Sequence, residues 1–207
     1  LPIFFADKIQ QGFSLLGDKV DQPIAADVIT LIDDARCEDS LYQPAFVSEG
    51  VPTANTVLLE KGILRGFLYN RKTAAKAGVT STGNGFKPSW KGGIQVAATN
   101  SYIKPGNQSL EQLMAVMDKG LYITDLTGLH AGTNMVSGDF SLSAEGFYVE
   151  DGKKAYPVEQ ITVAGNFYEL LLQAAAVGND LFPGMPGGSG QVGSPSLLIK
   201  SLSVSGE

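Results

Sequence analysis

The chain has 207 residues, 43% hydrophobic and 17% charged, with a formal net charge of −6, which allows one large domain or two small ones around a real core. The negative balance, with no basic run, argues against direct contact with nucleic acid, and no apolar stretch is long enough to cross a membrane as a helix. A single Cys, Cys37, and a single His, His130, exclude an intrachain disulfide and a Cys-based zinc ribbon.

Apolar residues Ile3, Phe4, Ile9, Phe13 and Leu16 fall near helical spacing and predict a core-facing helix over 3–16. The opening Leu-Pro-Ile-Phe-Phe lacks the basic region and cleavage site of a signal peptide, so a cytoplasmic protein is expected. A chain that opens at Leu1 with Pro2 behind it reads as a piece of something longer. Residues 25–32 predict a buried strand, and Asp33, Asp34, Glu38 and Asp39 an acidic, solvated loop around Cys37. Residues 53–69 predict a hairpin, with Gly62 supplying the positive φ of a three-residue loop, Glu60-Lys61-Gly62.

Residues 71–77 predict a short helix stopped by Gly78, and 81–93 a glycine-rich loop. A strand is expected over 94–103. Ser109 with Gln112 three residues later has the capping-box pattern of a helix start, with Leu110, Leu113, Met114 and Met117 as its apolar face. A strand over 121–126 follows. Residues 139–149 alternate apolar and polar, Asp151-Gly152 is a turn pair, and 155–163 returns as the partner strand. Asn166 and Glu169 start a last helix with Leu170, Leu171 and Ala174 on its face. A Gly/Pro loop over 181–193 and a closing strand over 197–204 complete the chain. The class is α+β: a largely antiparallel β-sheet with hairpins and about four helices, read as a single domain over 1–207.

Little in these residues carries chemistry unaided. Cys37 and His130 lie far apart in sequence, and neither sits in a nucleophile elbow. One His and one Cys cannot close a zinc site, and 33–39 lacks the spacing of a calcium loop. The glycine-rich runs 81–85 and 184–193 match neither a phosphate loop nor a dinucleotide fingerprint.

A series of segments, in order and without large gaps, carries a resemblance. They include Ser48-Glu49-Gly50-Val51-Pro52-Thr53, Ser81-Thr82-Gly83-Asn84-Gly85, Thr127-Gly128-Leu129-His130-Ala131-Gly132-Thr133-Asn134 and Ser137-Gly138-Asp139-Phe140-Ser141. Gly146 to Gly152, Ile161 to Asn166, Val177-Gly178-Asn179-Asp180-Leu181 and Val192-Gly193-Ser194-Pro195-Ser196-Leu197 continue it. Together they resemble the C-terminal half of the TldD/PmbA family, once labelled modulators of DNA gyrase. The match begins near Phe46, and residues 1–45 fit the family poorly.

The resemblance implies a cytoplasmic, heterodimeric peptidase acting on unfolded or modified peptides. Its TldD-type subunit carries zinc through an H-E-x-x-x-H helix and a late Cys. Its PmbA-type (TldE) subunit lacks those ligands. In this chain Pro186 stands about where the late Cys would be, and the zinc helix would fall before Leu1. The resemblance therefore points to the PmbA/TldE-like branch, with no catalytic residue and no cofactor in this chain and with zinc in a TldD-type partner. His130, Asn134, Asn84 and Gln191 are the residues it offers for contact with peptide or partner. His130 also reads as a histidine hydrogen-bonded within its Gly-rich turn, and Asn134 and Asp139 as turn-setting residues. Three alternatives stay open. The full-length chain is itself an active zinc peptidase; the domain is an interaction module for gyrase; or the shortened chain pairs with itself as a homodimer.

Overall fold

A computed structural model of the chain describes residues 1–38, 40–187 and 190–206. In chain order the helices are α1 (Ala6–Gln10), α2 (Arg71–Ala77), α3 (Leu110–Met117) and α4 (Phe167–Leu172). The strands are β1 (Leu31–Asp34), β2 (Asn55–Glu60), β3 (Ile63–Leu64), β4 (Gly85–Phe86), β5 (Gln95–Val96), β6 (Asn100–Ile103) and β7 (Gly120–Thr127). They continue as β8 (Asp139–Glu150), β9 (Lys153–Asn166), β10 (Ala174–Val177), β11 (Phe182–Pro183), β12 (Gln191–Ser194), β13 (Leu197–Ile199) and β14 (Ser203–Ser205). The α+β class and the predominance of antiparallel pairing are as expected. No helix among the described residues is long and apolar enough to cross a membrane.

The described residues form two compact units, Leu1–Lys104 with Leu181–Ser194, and Pro105–Asp180 with Pro195–Glu207. The first is built on a six-stranded sheet in the order β11-β12-β6-β1-β2-β3. All its pairings are antiparallel except β12 on β6, where Gln191 stands opposite Asn100. Ile29, Leu58, Leu59, Leu64 and Leu68 are its most deeply buried aliphatic side chains, with Leu16 and the ring of Phe4 close behind. The second unit is built on the sheet β14-β9-β8-β7, whose buried cluster is Leu142, Ala144, Ile161 and Val163. A two-stranded ladder, β10 with β13, completes it.

Local chemistry accounts for the elements that match expectation. Asn70 caps α2, accepting from the Thr73 N–H at 2.8 Å while Thr73 Oγ1 accepts from the Asn70 N–H. Ser109 and Gln112 do the same at α3. Lys61 and Gly62 both have positive φ and form a two-residue turn, tighter than the expected three-residue loop. Gly62 is obligatory, since a Cβ there would lie 2.2 Å from the Ala25 carbonyl oxygen.

Other expectations are corrected. The helix over 3–16 is a 3-10 turn, Pro2–Phe4, followed by the short α1; the chain then turns, and Phe13 is exposed. The strand over 25–32 begins only at Leu31, because the Ile24 and Ala25 N–H groups turn aside to the Gly62 carbonyl. The second arm of the hairpin ends at Leu64, and Leu68 instead bridges Phe5. The strand over 94–103 is broken at 97–99, where Ala97 N–H donates to Asn84 and Thr99 N–H to Asp33. Ala174 leaves the last helix for β10.

Candidate functional site

The first unit holds a polar cluster inside an apolar sheet. On β1 Leu31 and Asp33 face inward, and Ala35 just after the strand is buried as well, so the pleat carries a carboxylate into the core between two apolar neighbours. Asp33 is 1% exposed. Its oxygens accept from the Thr99 N–H at 2.9 Å, Thr99 Oγ1 at 3.0 Å, Asn84 Nδ2 at 2.8 Å and Ser101 Oγ at 2.8 Å. Burial pushes its pKa above the ordinary 3.8, against the pull of these donors. The expected acidic, solvated loop is thus corrected: Asp33 and Asp34 belong to β1, and Asp33 is interior. Asp39 lies outside the described residues.

Asn84 belongs to this cluster. It is buried, donates to Asp33 and to the Ala97 carbonyl at 3.0 Å, and accepts from Thr82 Oγ1 at 2.6 Å. Its amide is engaged within the chain. Gln191, at the start of β12, is also buried and meets Ser40 Oγ, which lies within hydrogen-bond reach of Asn100 as well. Asn100 Nδ2 already donates to the Asp34 and Tyr42 carbonyls, so its oxygen faces Ser40. One hydroxyl proton cannot serve two amide oxygens; the group closes when Gln191 presents its Nε2 to Ser40 Oγ. Gly190 brings β12 close, since a Cβ there would lie 2.3 Å from the Ala98 carbonyl oxygen. A cavity of about 270 Å3 opens beside Ser40, Asn100, Ser101 and Gln191, with Cys37 and Tyr102 on its wall.

His130 and Asn134 lie in the second unit, in the turn between β7 and β8. Asn134 Oδ1 accepts from the Val136 and Ser137 N–H groups at 3.0 and 3.1 Å, and Asp139 ties Ser137 to Asn166. His130 is exposed, and its side chain makes no hydrogen bond among the described residues. The four candidate residues therefore fall into two groups, Asn84 with Gln191 in the first unit and His130 with Asn134 in the second.

A zinc ion finds no donor set in what is described. Among those residues no three His, Cys, Asp or Glu side chains come together. Cys37 lies in the first unit and His130 in the second. Pro186 sits exposed in the loop after β11 and offers no ligand atom. The donors present do not fit the metal.

The model of the PmbA/TldA metallopeptidase C-terminal domain matches residues 1–206. The chain belongs to the PmbA/TldD family. The match to this family includes the first 45 residues. Among solved structures, TldE from Thermococcus kodakarensis superposes with a TM-score of 0.91 at 33% identity, over 100% of this chain and 46% of that one. A protein described as a proposed modulator of a DNA gyrase, from Thermotoga maritima, gives 0.87 at 39% identity, over 99% and 45%. A metalloprotease TldD homolog from Buchnera aphidicola subsp. Schizaphis graminum is 31% identical over 207 residues, covering 95% of this chain and 42% of its own length. The chain thus spans somewhat under half the length of the family members it matches.

The polar residues that sequence motifs missed are Asp33, Thr99, Ser101, Asn100 and Ser40. The inward parity of Asp33 between Leu31 and Ala35 was the available signal, but an Asp-Asp pair reads as surface.

Proposed function

We propose that this chain is the C-terminal part of a TldE-type subunit of a cytoplasmic metallopeptidase complex, in which a TldD-type partner supplies the zinc. The observation that carries the reading is the likeness to TldE over the whole chain. The chain's own part is then to bind and orient an unfolded or modified peptide.

β7 suits that part. It is one of the two edge strands of its sheet, eight residues long, and its last four residues are exposed. An extended peptide adds to such an edge through main-chain hydrogen bonds, which ask little of its sequence. Broad tolerance of this kind is what a peptidase for unfolded chains requires.

The test is the zinc content of the full-length gene product, purified without chelator, alone and after co-expression with a TldD-type subunit. The expected result is no zinc alone and about one ion per complex, as one catalytic site binds one metal. A tightly bound zinc in the protein alone would overturn the reading and make this subunit the peptidase.

A further inference from the structure

A cleft of about 890 Å3 opens in the first unit between α1, α2 and residues 86–98. Pockets that take ligands run from roughly 300 to 1,000 Å3, so this one is large. Its floor is largely apolar: Phe5, Val96, Ala97 and Ala98 are buried there and Phe86 is half-buried, with Asn70 and Thr73 the buried polar residues beside them. Its rim is cationic, carrying Lys8, Lys72, Lys76 and Lys87, with Asp7 the one carboxylate among the lining residues.

That charge pattern inverts the composition. The chain has 21 Asp and Glu against 15 Lys and Arg, yet the cleft gathers four lysines around one aspartate. Lys72 and Lys76 are four residues apart on α2 and share one face. Gln10 Nε2 donates to the Thr73 carbonyl at 2.8 Å and fastens α1, which carries Lys8, to α2. None of the four lysines has an ion-pair partner among the described residues. Four like charges with a single carboxylate among them repel one another, and a bound anion relieves the repulsion.

We propose that this cleft holds an acidic, unfolded stretch of peptide, with its carboxylates at the lysine rim and its apolar side chains on the floor. Calling that peptide a substrate rests on the peptidase reading above; the cleft itself does not. The apolar floor favours peptide over nucleic acid, because it offers desolvation to Leu or Phe and nothing to a phosphate backbone.

The test measures fluorescence anisotropy of a short labelled peptide of Glu, Leu and Gly on the full-length protein. A Gln-for-Glu peptide and an oligothymidylate of equal charge serve as comparison ligands. The Glu peptide binds best, and added salt weakens it. Lys72→Glu/Lys76→Glu raises its Kd about tenfold or more, since rim charges steer and hold an oppositely charged partner. Lys153→Glu/Lys200→Glu, the same charge change at two residues that do not line the cleft, leaves it within about twofold, because the effect belongs to the charges at the rim. Lys72→Ala/Lys76→Ala gives the same direction of effect should the reversal disturb α2. Equal binding of the Gln peptide, indifference to the α2 changes, or tighter binding of the oligothymidylate would overturn the proposal. Cleavage assays with a TldD-type partner separate the two readings. Cleavage of both peptides without preference overturns the acidic cleft alone. Binding of the Glu peptide with cleavage of neither overturns the peptidase reading alone.

Discussion

Removing the Asp33 carboxylate should unfold much of the first unit's stability margin. Four donors converge on it from Thr99, Asn84 and Ser101, and none of these residues is more than 3% exposed. In Asp33→Ala the Thr99 and Ser101 hydroxyls can turn to other acceptors, but the Thr99 N–H and the Asn84 amide cannot. Each buried donor left unpaired costs ~1–3 kcal/mol, so the two fixed donors alone set a loss of roughly 2–6 kcal/mol. Asp33→Asn keeps the shape but sets an NH2 against one of those donors, for a loss of about 1–3 kcal/mol. Against a whole-domain stability of roughly 5–15 kcal/mol, the Ala variant is severely weakened. Urea unfolding followed by circular dichroism gives both values. A loss for Asp33→Ala inside about 0.5 kcal/mol, the scale of ordinary surface changes, would refute the account.

The same variants carry a pH test with a definite sign. Burial raises the Asp33 pKa above 3.8, so the folded chain holds that proton more tightly than the unfolded chain. The group's contribution to stability is then complete below the unfolded pKa and is lost as pH rises through the folded one. Asp33→Asn has no such titration. The stability gap between parent and Asp33→Asn narrows as pH rises from below 3.8 through the folded pKa; a gap that widens would show that the donors outweigh burial.

Two further outcomes follow from the turns and the free edge. Gly62→Ala and Gly78→Ala both force Ala to a positive φ, +78° and +70°, at roughly 1–2 kcal/mol each. A Cβ at Gly78 meets nothing within 4 Å, whereas one at Gly62 meets the Ala25 carbonyl, so Gly62→Ala costs measurably more in urea unfolding, and equal losses would remove the close approach from the explanation. If β7 receives peptide by strand addition, a peptide methylated at several backbone amides binds at least about tenfold more weakly by calorimetry, each lost bond being worth ~0.5–1.5 kcal/mol, and equal binding would exclude the edge.

What could be read from sequence follows the reach of each interaction. α2 and α3 were legible because their end signals are local, the Gly78 stop of α2 and the Ser109 with Gln112 cap of α3. The β8–β9 hairpin was legible because alternation and an Asp-Gly turn are local too. Asp33 was not. Its partners come from 51 to 68 residues away, and nothing near it in sequence announces them. A buried charge is costly without such partners, so an Asp-Asp pair read as a solvated loop. The pairing of β12 with β6 is hidden in the same way, as are the cleft lysines, which three separate segments bring together. The family resemblance recovered part of this without showing its cause. Ser81-Thr82-Gly83-Asn84-Gly85 stood out as part of the resemblance, with Asn84 offered for contact, and the fold shows a structural task for it. Thr82 orients Asn84, and Asn84 reaches the buried carboxylate of Asp33. The motif closes an interior charge, and the two surfaces proposed to meet a peptide, the edge of β7 and the lysine rim of the first unit, are marked by no short motif of that kind.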